Sequence, residues 1–480
     1  MKEILTGLKS ITTVLTASVS LFMENPIWFL TRVYRRVAGA RDLRICNFDT
    51  SSFEQRAALS KVNELPATQR GIQKSEISTP QRERLSVLLY LNNSEPFTRS
   101  GYTERTSNLL TCMADLGVLV SAATRLGYPA VIGRITRNKV DYVNGIRFHR
   151  LIPWVFRRQP MDRFEDEFEL LKKIAIEEST TILHTTTPFG NAELVSAVAN
   201  ELGIPWIYEV RGEPEKTWLS KVPRERQAAA EASPFFQSAQ EYETLAMRNA
   251  SKVIALSEVS KDMMVLRGVS EEKIVVVPNS LDHIKAGEEL TSDMAAGREI
   301  KKSLGLERKK LLGSISSIVG YEGLDILIRS IVHLSDDWHV LIVGDGEQKP
   351  LLQKLCAQLE VQDRVTFVDR QPSTSIDSWY SALDVFALPR RDELVCRSVT
   401  PIKPLKAMSL GLPIVSSDLP ALREVTGNFG YYFTPEDPQA LAESVEKAWG
   451  SKYPEVVYSW LENRTWKTQA NVLKALYETL

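Results

Sequence analysis

His339-Val340-Leu341-Ile342-Val343-Gly344-Asp345-Gly346 decides the architecture. A short apolar run that stops on a Gly-Asp-Gly turn, with a helical stretch at 350–359 behind it, reads as a buried strand turning directly into a helix. The rhythm repeats downstream as strands at 365–368, 382–389 and 413–417 and helices at 404–410 and 438–449. Upstream, 310–315 is a strand and 324–334 a helix. A second series of the same kind fills the first half, with strands at 85–91, 119–124, 145–149, 181–184, 206–210, 252–257 and 273–278 and helices at 104–116 and 192–202. Strands alternating with helices give helix-covered parallel sheets, so the fold class is α/β with two doubly wound, Rossmann-like domains.

Between 283 and 301 the strand pattern gives way to Glu, Ala, Gly and Lys, which predicts an interdomain linker. The expected organisation is an N-terminal helical extension and connector (1–84), a first domain (85–282), the linker (283–301), a second domain (302–450) and a C-terminal helical segment (451–480). Two doubly wound domains enclose a cleft, and open parallel sheets bind ligands beyond the carboxyl ends of their strands.

Composition narrows the function. The 480 residues carry 59 Lys and Arg against 60 Asp and Glu, a formal charge of -1, which gives no electrostatic case for a nucleic-acid partner. Cys46, Cys112, Cys356 and Cys396 contain no C-x-x-C, so neither a disulfide framework nor a zinc site is signalled and a reducing, cytoplasmic setting is expected. No run of apolar residues is long enough to span a bilayer, because 11–22 is interrupted by Thr12, Thr13, Thr16, Ser18 and Ser20. A secretory signal fits this start only loosely. From Met1 to Arg41 six basic and two acidic residues leave a local charge of +4, and Trp28, Phe29 and Tyr34 stand among Arg32, Arg35, Arg36 and Arg41. Residues 27–41 therefore read either as a peripheral contact with an anionic membrane or as a helix packed on the body with solvated arginines. Residues 50–84 read as a polar connector.

Two loops carry the chemistry. Gly344 and Gly346 either form a tight turn or let the backbone approach a phosphate at a helix start. A dinucleotide fingerprint would need a third glycine where Lys349 stands, and Walker A is absent. The stretch from Leu388 through Arg390, Arg391, Arg397, Thr400, Ile402, Lys403, Leu405 and Lys406 to Met408 joins a strand end, a loop and a helix start to several cations. Such a loop can hold a diphosphate without a metal.

These motifs resemble the retaining nucleotide-sugar glycosyltransferases of family 4, whose architecture is called GT-B, over roughly Leu85 to Trp449. The resemblance is carried by Pro96-Phe97 to Gly101-Tyr102, Leu256-Ser257-Glu258 with Lys261, Gly268-Val269 through Lys273-Ile274 to Val277-Pro278-Asn279, Val343-Gly344-Asp345-Gly346, Asp384-Val385 to Pro389, and Thr400-Pro401-Ile402-Lys403-Pro404-Leu405 to Gly411-Leu412-Pro413-Ile414-Val415-Ser416-Ser417-Asp418. Tyr208-Glu209-Val210-Arg211-Gly212 and Tyr321-Glu322-Gly323-Leu324-Asp325 are similar to the subgroup that builds bacterial surface polysaccharides.

The resemblance implies that the first domain binds a glycan or lipid-linked acceptor and the second a nucleotide sugar. Gly101 would lie by the donor diphosphate, and His184 would stand beside the reacting sugar unless it is structural. Arg211 would clamp a phosphate or carboxylate unless it pairs with Glu209, Glu213 or Glu215. Donor contacts would come from Gly344, Gly346, Arg397, Thr400, Ile402, Lys403, Leu405 and Lys406. No metal or other cofactor is expected. The protein would work in the cytoplasm, peripherally at the inner face of the plasma membrane. Two departures stand out. The family's paired glutamates are replaced by Ser398 and Lys406, with Glu393 an acid of unmatched spacing, and Glu322 stands where a basic residue is usual. An ammonium only donates hydrogen bonds, so Lys406 cannot serve a ribose as a carboxylate does. A sugar transferase is the leading expectation, and a catalytically silent partner subunit of the same fold is the rival.

Overall fold

A computed structural model describes residues 2–24 and 84–480. The proposed membrane segment 27–41, nearly all of the 50–84 connector and Cys46 lie outside the described residues.

The first domain is built on an eight-stranded sheet in the order β3-β4-β2-β1-β5-β6-β7-β8. The strands are β1 Ser86–Leu91, β2 Leu119–Thr124, β3 Val140–Val143, β4 Ile146–Arg150, β5 Ile182–Thr186, β6 Trp206–Glu209, β7 Lys252–Ala255 and β8 Ile274–Val276. All neighbours are parallel except the β3–β4 hairpin. Every residue of β1 is buried, as a central strand covered on both faces requires. Leu88, Leu183 and Tyr208 pack against helices on one face, and Val87, Leu89 and Ile207 on the other.

The second domain carries six strands in the order β11-β10-β9-β12-β13-β14: β9 Lys310–Ile315, β10 Trp338–Val343, β11 Val365–Val368, β12 Val385–Leu388, β13 Ile414–Ser417 and β14 Tyr431–Phe433. All pairs are parallel. Strand order reverses between β1 and β5 in the first sheet and between β9 and β12 in the second, and these reversals open the crevices where α/β sheets take ligands.

One segment departs from the sequence expectation. The predicted linker is mostly the helix Gly287–Ser303. Glu288 and Glu289 occupy its first turn and Lys301 and Lys302 its last, matching the helix macrodipole. A Cβ at Gly297 would lie 2.5 Å from the Ser381 carbonyl carbon, so this helix packs tightly on the second domain. The Glu-, Ala- and Lys-rich composition read as linker was helix composition.

The C-terminal helical segment returns to the first domain. Helix Trp466–Glu478 crosses back to the first domain, and Ala470, Leu473, Leu476 and Tyr477 join the core that holds Val87 and Ile207. The outgoing and returning chains meet where Leu281 N–H donates to Arg464 C=O at 2.8 Å and Trp466 N–H donates to Leu281 C=O at 2.8 Å.

Candidate functional site

At the β9/β12 reversal, loops from the two adjacent strands meet on one carboxylate. Arg390 Nη2 and Lys403 Nζ each lie 3.0 Å from Glu322 Oε1. Glu322 is 3% exposed. Burial pushes its carboxyl up, but Arg390 and Lys403 outweigh that and hold it at about 2, so it is ionised throughout the physiological range. Burial lowers the Lys403 ammonium, against the pull of Glu322. The acid at the family's basic position thus serves as counter-ion to the loop's cations, leaving one net positive charge on the three groups.

The other residues of this loop divide. Lys406 Nζ lies 2.9 Å from Asp377 Oδ1. Arg397, on the short helix Leu394–Ser398, is exposed and paired with Asp392, Nε to Oδ1 at 2.5 Å. Thr400 is buried at the domain boundary, its C=O accepting from Asn279 Nδ2 at 3.1 Å. Leu405 is fully buried in the apolar core, so a contact through its side chain is corrected to a packing role. Ile402, half-buried, is the residue before helix Lys403–Ser409.

Gly344 and Gly346 are explained by neighbouring backbone. A Cβ at Gly344 would fall 1.8 Å from Ser316 C=O, and at Gly346 2.2 Å from Ile318 C=O. The turn after β10 is pressed against the loop after β9, and only glycine fits. Gly101 is the opposite case, because a Cβ there meets nothing within 4 Å. It opens helix Gly101–Asp115, capped by Ser100 with Thr103 closing a capping box.

At the β1/β5 reversal His184 lies in a buried network. His184 is 1% exposed, with Nδ1 2.6 Å from the Tyr477 hydroxyl and Nε2 3.5 Å from Glu209 Oε2. Burial lowers its pKa, with Glu209 opposing, which leaves the imidazole neutral. Glu209 is gripped by Arg105 Nε at 2.7 Å and Arg211 Nε at 2.7 Å. Arg211 also donates from Nη1 to Thr106 Oγ1 at 2.6 Å and to Tyr102 C=O at 2.9 Å. In this arrangement His184 is enclosed and Arg211 pairs with Glu209, the structural alternative that the sequence left open for each. The returning C-terminal helix closes over the histidine, and the arginine braces the first turn of helix Gly101–Asp115.

The carboxyl edges of the two sheets face each other. Arg370 Nη2 donates to Arg99 C=O at 2.9 Å, just before Gly101. Glu104, in the first turn of that helix, has a carboxyl pushed up by burial and drawn back by Lys406 of the other domain. Ser398 Oγ bonds to Glu213 of the first domain. The acids that meet Ser398 and Lys406 are thus Glu213 and Asp377, whereas Glu393 accepts from Gln227 Nε2 at 3.1 Å. Nothing local in the sequence marks Glu213 or Asp377, since each meets its partner only through the fold. Among the described residues no group of three or more His, Cys, Asp or Glu could hold a metal ion, and no helix is long and apolar enough to cross a membrane.

Both halves match families of the same enzyme class. The glycosyl transferase 4-like domain matches residues 100–280, and the glycosyl transferases group 1 domain matches residues 309–450. The lipopolysaccharide core biosynthesis mannosyltransferase LpsB of Rhizobium meliloti is 31% identical over 159 residues, 30% of this chain and 43% of that protein. The sucrose-phosphate synthase of Thermosynechococcus elongatus superposes with a TM-score of 0.64 at 17% identity, over 82% of this chain and 98% of that one. Anabaena HepE in complex with UDP and glucose gives 0.61 at 16%, over 83% and 100%. The chain spans less than half the length of the first curated relatives it matches. Its two domains belong to glycosyltransferase families and share the GT-B fold of these solved structures.

Proposed function

We propose that this protein transfers a sugar, with retention, from a nucleoside diphosphate sugar to a growing surface polysaccharide or glycolipid. The observation that carries the reading is the meeting of Arg390 and Lys403 on Glu322 beyond the β9/β12 reversal, with Lys406 one helical turn on acting on Glu104 in the first turn of helix Gly101–Asp115, whose start is uncrowded. The first N–H groups of a helix lack intrahelical partners, so donors from one domain and cations from the other converge on the volume a diphosphate would fill. The complex of Anabaena HepE with UDP and glucose supports the donor class, and the lipopolysaccharide mannosyltransferase supports the acceptor class.

In this reading Lys403 and Arg390 balance the charge of the leaving diphosphate through fixed positive charge. The departing phosphate oxygen accepts the acceptor hydroxyl's proton as the glycosidic bond forms, so no dedicated base is assigned. Glu213, held by Lys216, and Asp377, held by Lys285 and Lys406, are the carboxylates assigned to donor hydroxyls in place of the missing glutamates. Activity is expected to survive EDTA, because cationic side chains fill the role of a metal. The enzyme would act at the inner face of the plasma membrane, with residues 27–41 on the lipid surface.

Melting the full chain with UDP, GDP, CDP and dTDP and their sugar conjugates tests the reading. Stabilisation by about 2.7 kcal/mol is expected at roughly a hundredfold excess over Kd for the true donor. If none of them raises Tm, donor binding is absent and the silent-partner reading replaces this one.

A further inference from the structure

The N-terminal helix Lys2–Glu24 is seated the wrong way round for an ordinary surface helix. Its polar stripe faces the protein: Thr6, Ser10 and Thr13 are buried, with the small Ala17 on the same face. Thr13 Oγ1 donates to Pro153 C=O at 2.9 Å, Ser10 Oγ accepts from Thr136 N–H at 3.1 Å, and Thr16 Oγ1 accepts from Phe156 N–H at 3.0 Å. The aliphatic stripe, Leu5, Leu8, Ile11, Leu15 and Val19, is exposed, with Leu15 at 62% and Val19 at 63%. At spacings of three and four residues these five share one face. An amphipathic helix normally buries that face and wets the other. A continuous exposed apolar ridge marks an interaction surface.

The two loops that seat the helix decide what covers the ridge. They add exposed Ile135, Trp154 and Val155, and Lys9 Nζ lies 4.3 Å from the Trp154 ring centroid. They also add Arg134, Arg137, Lys139 and Arg158, all exposed and none in an ion pair with a described residue. Burial, Lys139 and Lys173 together lower the Lys9 ammonium, as expected where cations crowd. An isologous dimer through this face would bring these cations against their own copies. Residues 25–83 are poorly suited as a cover, with ten basic and six acidic side chains and a net charge of +4. An anionic bilayer supplies both complements, acyl chains for the ridge and headgroup phosphates for the cations.

We infer that the exposed face of helix Lys2–Glu24, with its flanking loops 133–139 and 153–158, is an interfacial binding surface for anionic lipid. The helix lies in the plane of the interface with its aliphatic ridge among the acyl chains, and Trp154 sits at headgroup depth. The first domain is thereby held against the bilayer. This rests on the geometry of that helix and its loops and is separate from the reading of residues 27–41.

Sedimentation of the full chain with phosphatidylcholine vesicles, with and without phosphatidylglycerol, is the test. Wild type should bind the mixed vesicles, release in high salt, and bind pure phosphatidylcholine far less. Leu8→Glu/Ile11→Glu/Leu15→Glu should cut binding about tenfold or more with Tm unchanged, since all three side chains are exposed, and Arg134→Glu/Arg137→Glu should also weaken it. Trp154→Phe should lose part of the fluorescence quenching by brominated acyl chains. The inference is overturned if the triple variant binds as wild type, or if neutral vesicles bind equally well. It also falls if the triple variant merely turns a dimer into a monomer by light scattering, which makes a second copy the occupant, or merely lowers Tm, which makes another part of the chain the cover. Arg32→Glu/Arg35→Glu/Arg36→Glu separates the two membrane readings. Loss of binding in that variant alone supports residues 27–41 and removes this surface, and loss in the helix variant alone does the reverse.

Discussion

Glu322 is the residue on which the donor reading turns. It satisfies Arg390 and Lys403 at 3.0 Å each, and in doing so cancels one of the two charges a diphosphate would use. Glu322→Gln is expected to move two measurements in opposite directions. Tm should fall, since breaking a buried pair leaves Arg390 uncompensated and costs about 3 to 5 kcal/mol. UDP affinity by calorimetry should rise severalfold, because Lys403 is released toward the ligand. Affinity falling together with Tm would make Glu322 a scaffold for the site rather than a brake on it. A second buried acid sets a pH dependence. Burial pushes the Glu243 carboxyl from 4.5 up to about 7, Tyr208 O–H at 2.5 Å restrains it, and nearby Glu215 adds to the rise. A carboxyl whose folded pKa is raised keeps its proton longer in the folded than in the unfolded chain. Its contribution to stability therefore declines as pH climbs from about 4.5 to about 7, by roughly 3 kcal/mol at most. Glu243→Gln should flatten that part of the Tm profile, and an unchanged profile would mean that Glu243 ionises normally. Sequence reasoning located the neighbourhood of such residues better than their roles. His184 and Arg211 were legible as strand-end groups near a cleft. That Tyr477, nearly three hundred residues on, would enclose the histidine depends on the chain's return crossing and has no local signal.

At the scale of elements, the apolar strand runs were legible to within two or three residues, because a strand buried on both faces writes its length as uninterrupted hydrophobicity. What escaped were pieces without that contrast. Strand β3 is only half-buried, although the Asn144-Gly145 turn that joins it to β4, with φ of 49° and 79°, is a hairpin signal of the strongest kind. Helix Gly287–Ser303 was hidden by its linker-like composition, and the two readings open for Gly344 and Gly346 could be separated only by the backbone packed against them. Gly344→Ala should cost about 3 kcal/mol or more, since the new methyl would overlap the Ser316 carbonyl at 1.8 Å. Gly101→Ala should leave Tm unchanged, because open space surrounds that position. If the donor diphosphate lies there, the added methyl should still lower donor affinity at least severalfold. Equal melting behaviour in the two variants would refute the distinction, and wild-type donor affinity in Gly101→Ala would move the diphosphate away from that helix.

For the whole molecule, the governing question is what holds the two sheets face to face. The chain crosses between domains twice at one place, Leu281 against Arg464 and Trp466, so the domains can rotate about that point unless other contacts restrain them. The restraints lie elsewhere around the cleft. Arg224 grips Glu436 through two bonds of 2.7 and 2.5 Å. Glu424 of the second domain accepts from the N–H groups of Glu258 at 2.7 Å and Val259 at 3.0 Å, capping the first turn of helix Glu258–Leu266 in the first. A carboxylate on a helix N-terminus gains both hydrogen bonds and dipole attraction, but this one is partly exposed and contributes only about 1 kcal/mol. A latch of that size is strong enough to bias the closed form and weak enough to yield during substrate exchange. Glu424→Ala should therefore shift the population toward an open cleft without unfolding either domain. Small-angle scattering should show a larger radius of gyration for the variant, and the difference should shrink when the donor nucleotide bridges the two domains. An unchanged radius with lowered Tm would assign Glu424 to helix stability alone and leave closure to the other contacts across the cleft, Arg224–Glu436 and Arg370–Arg99 among them.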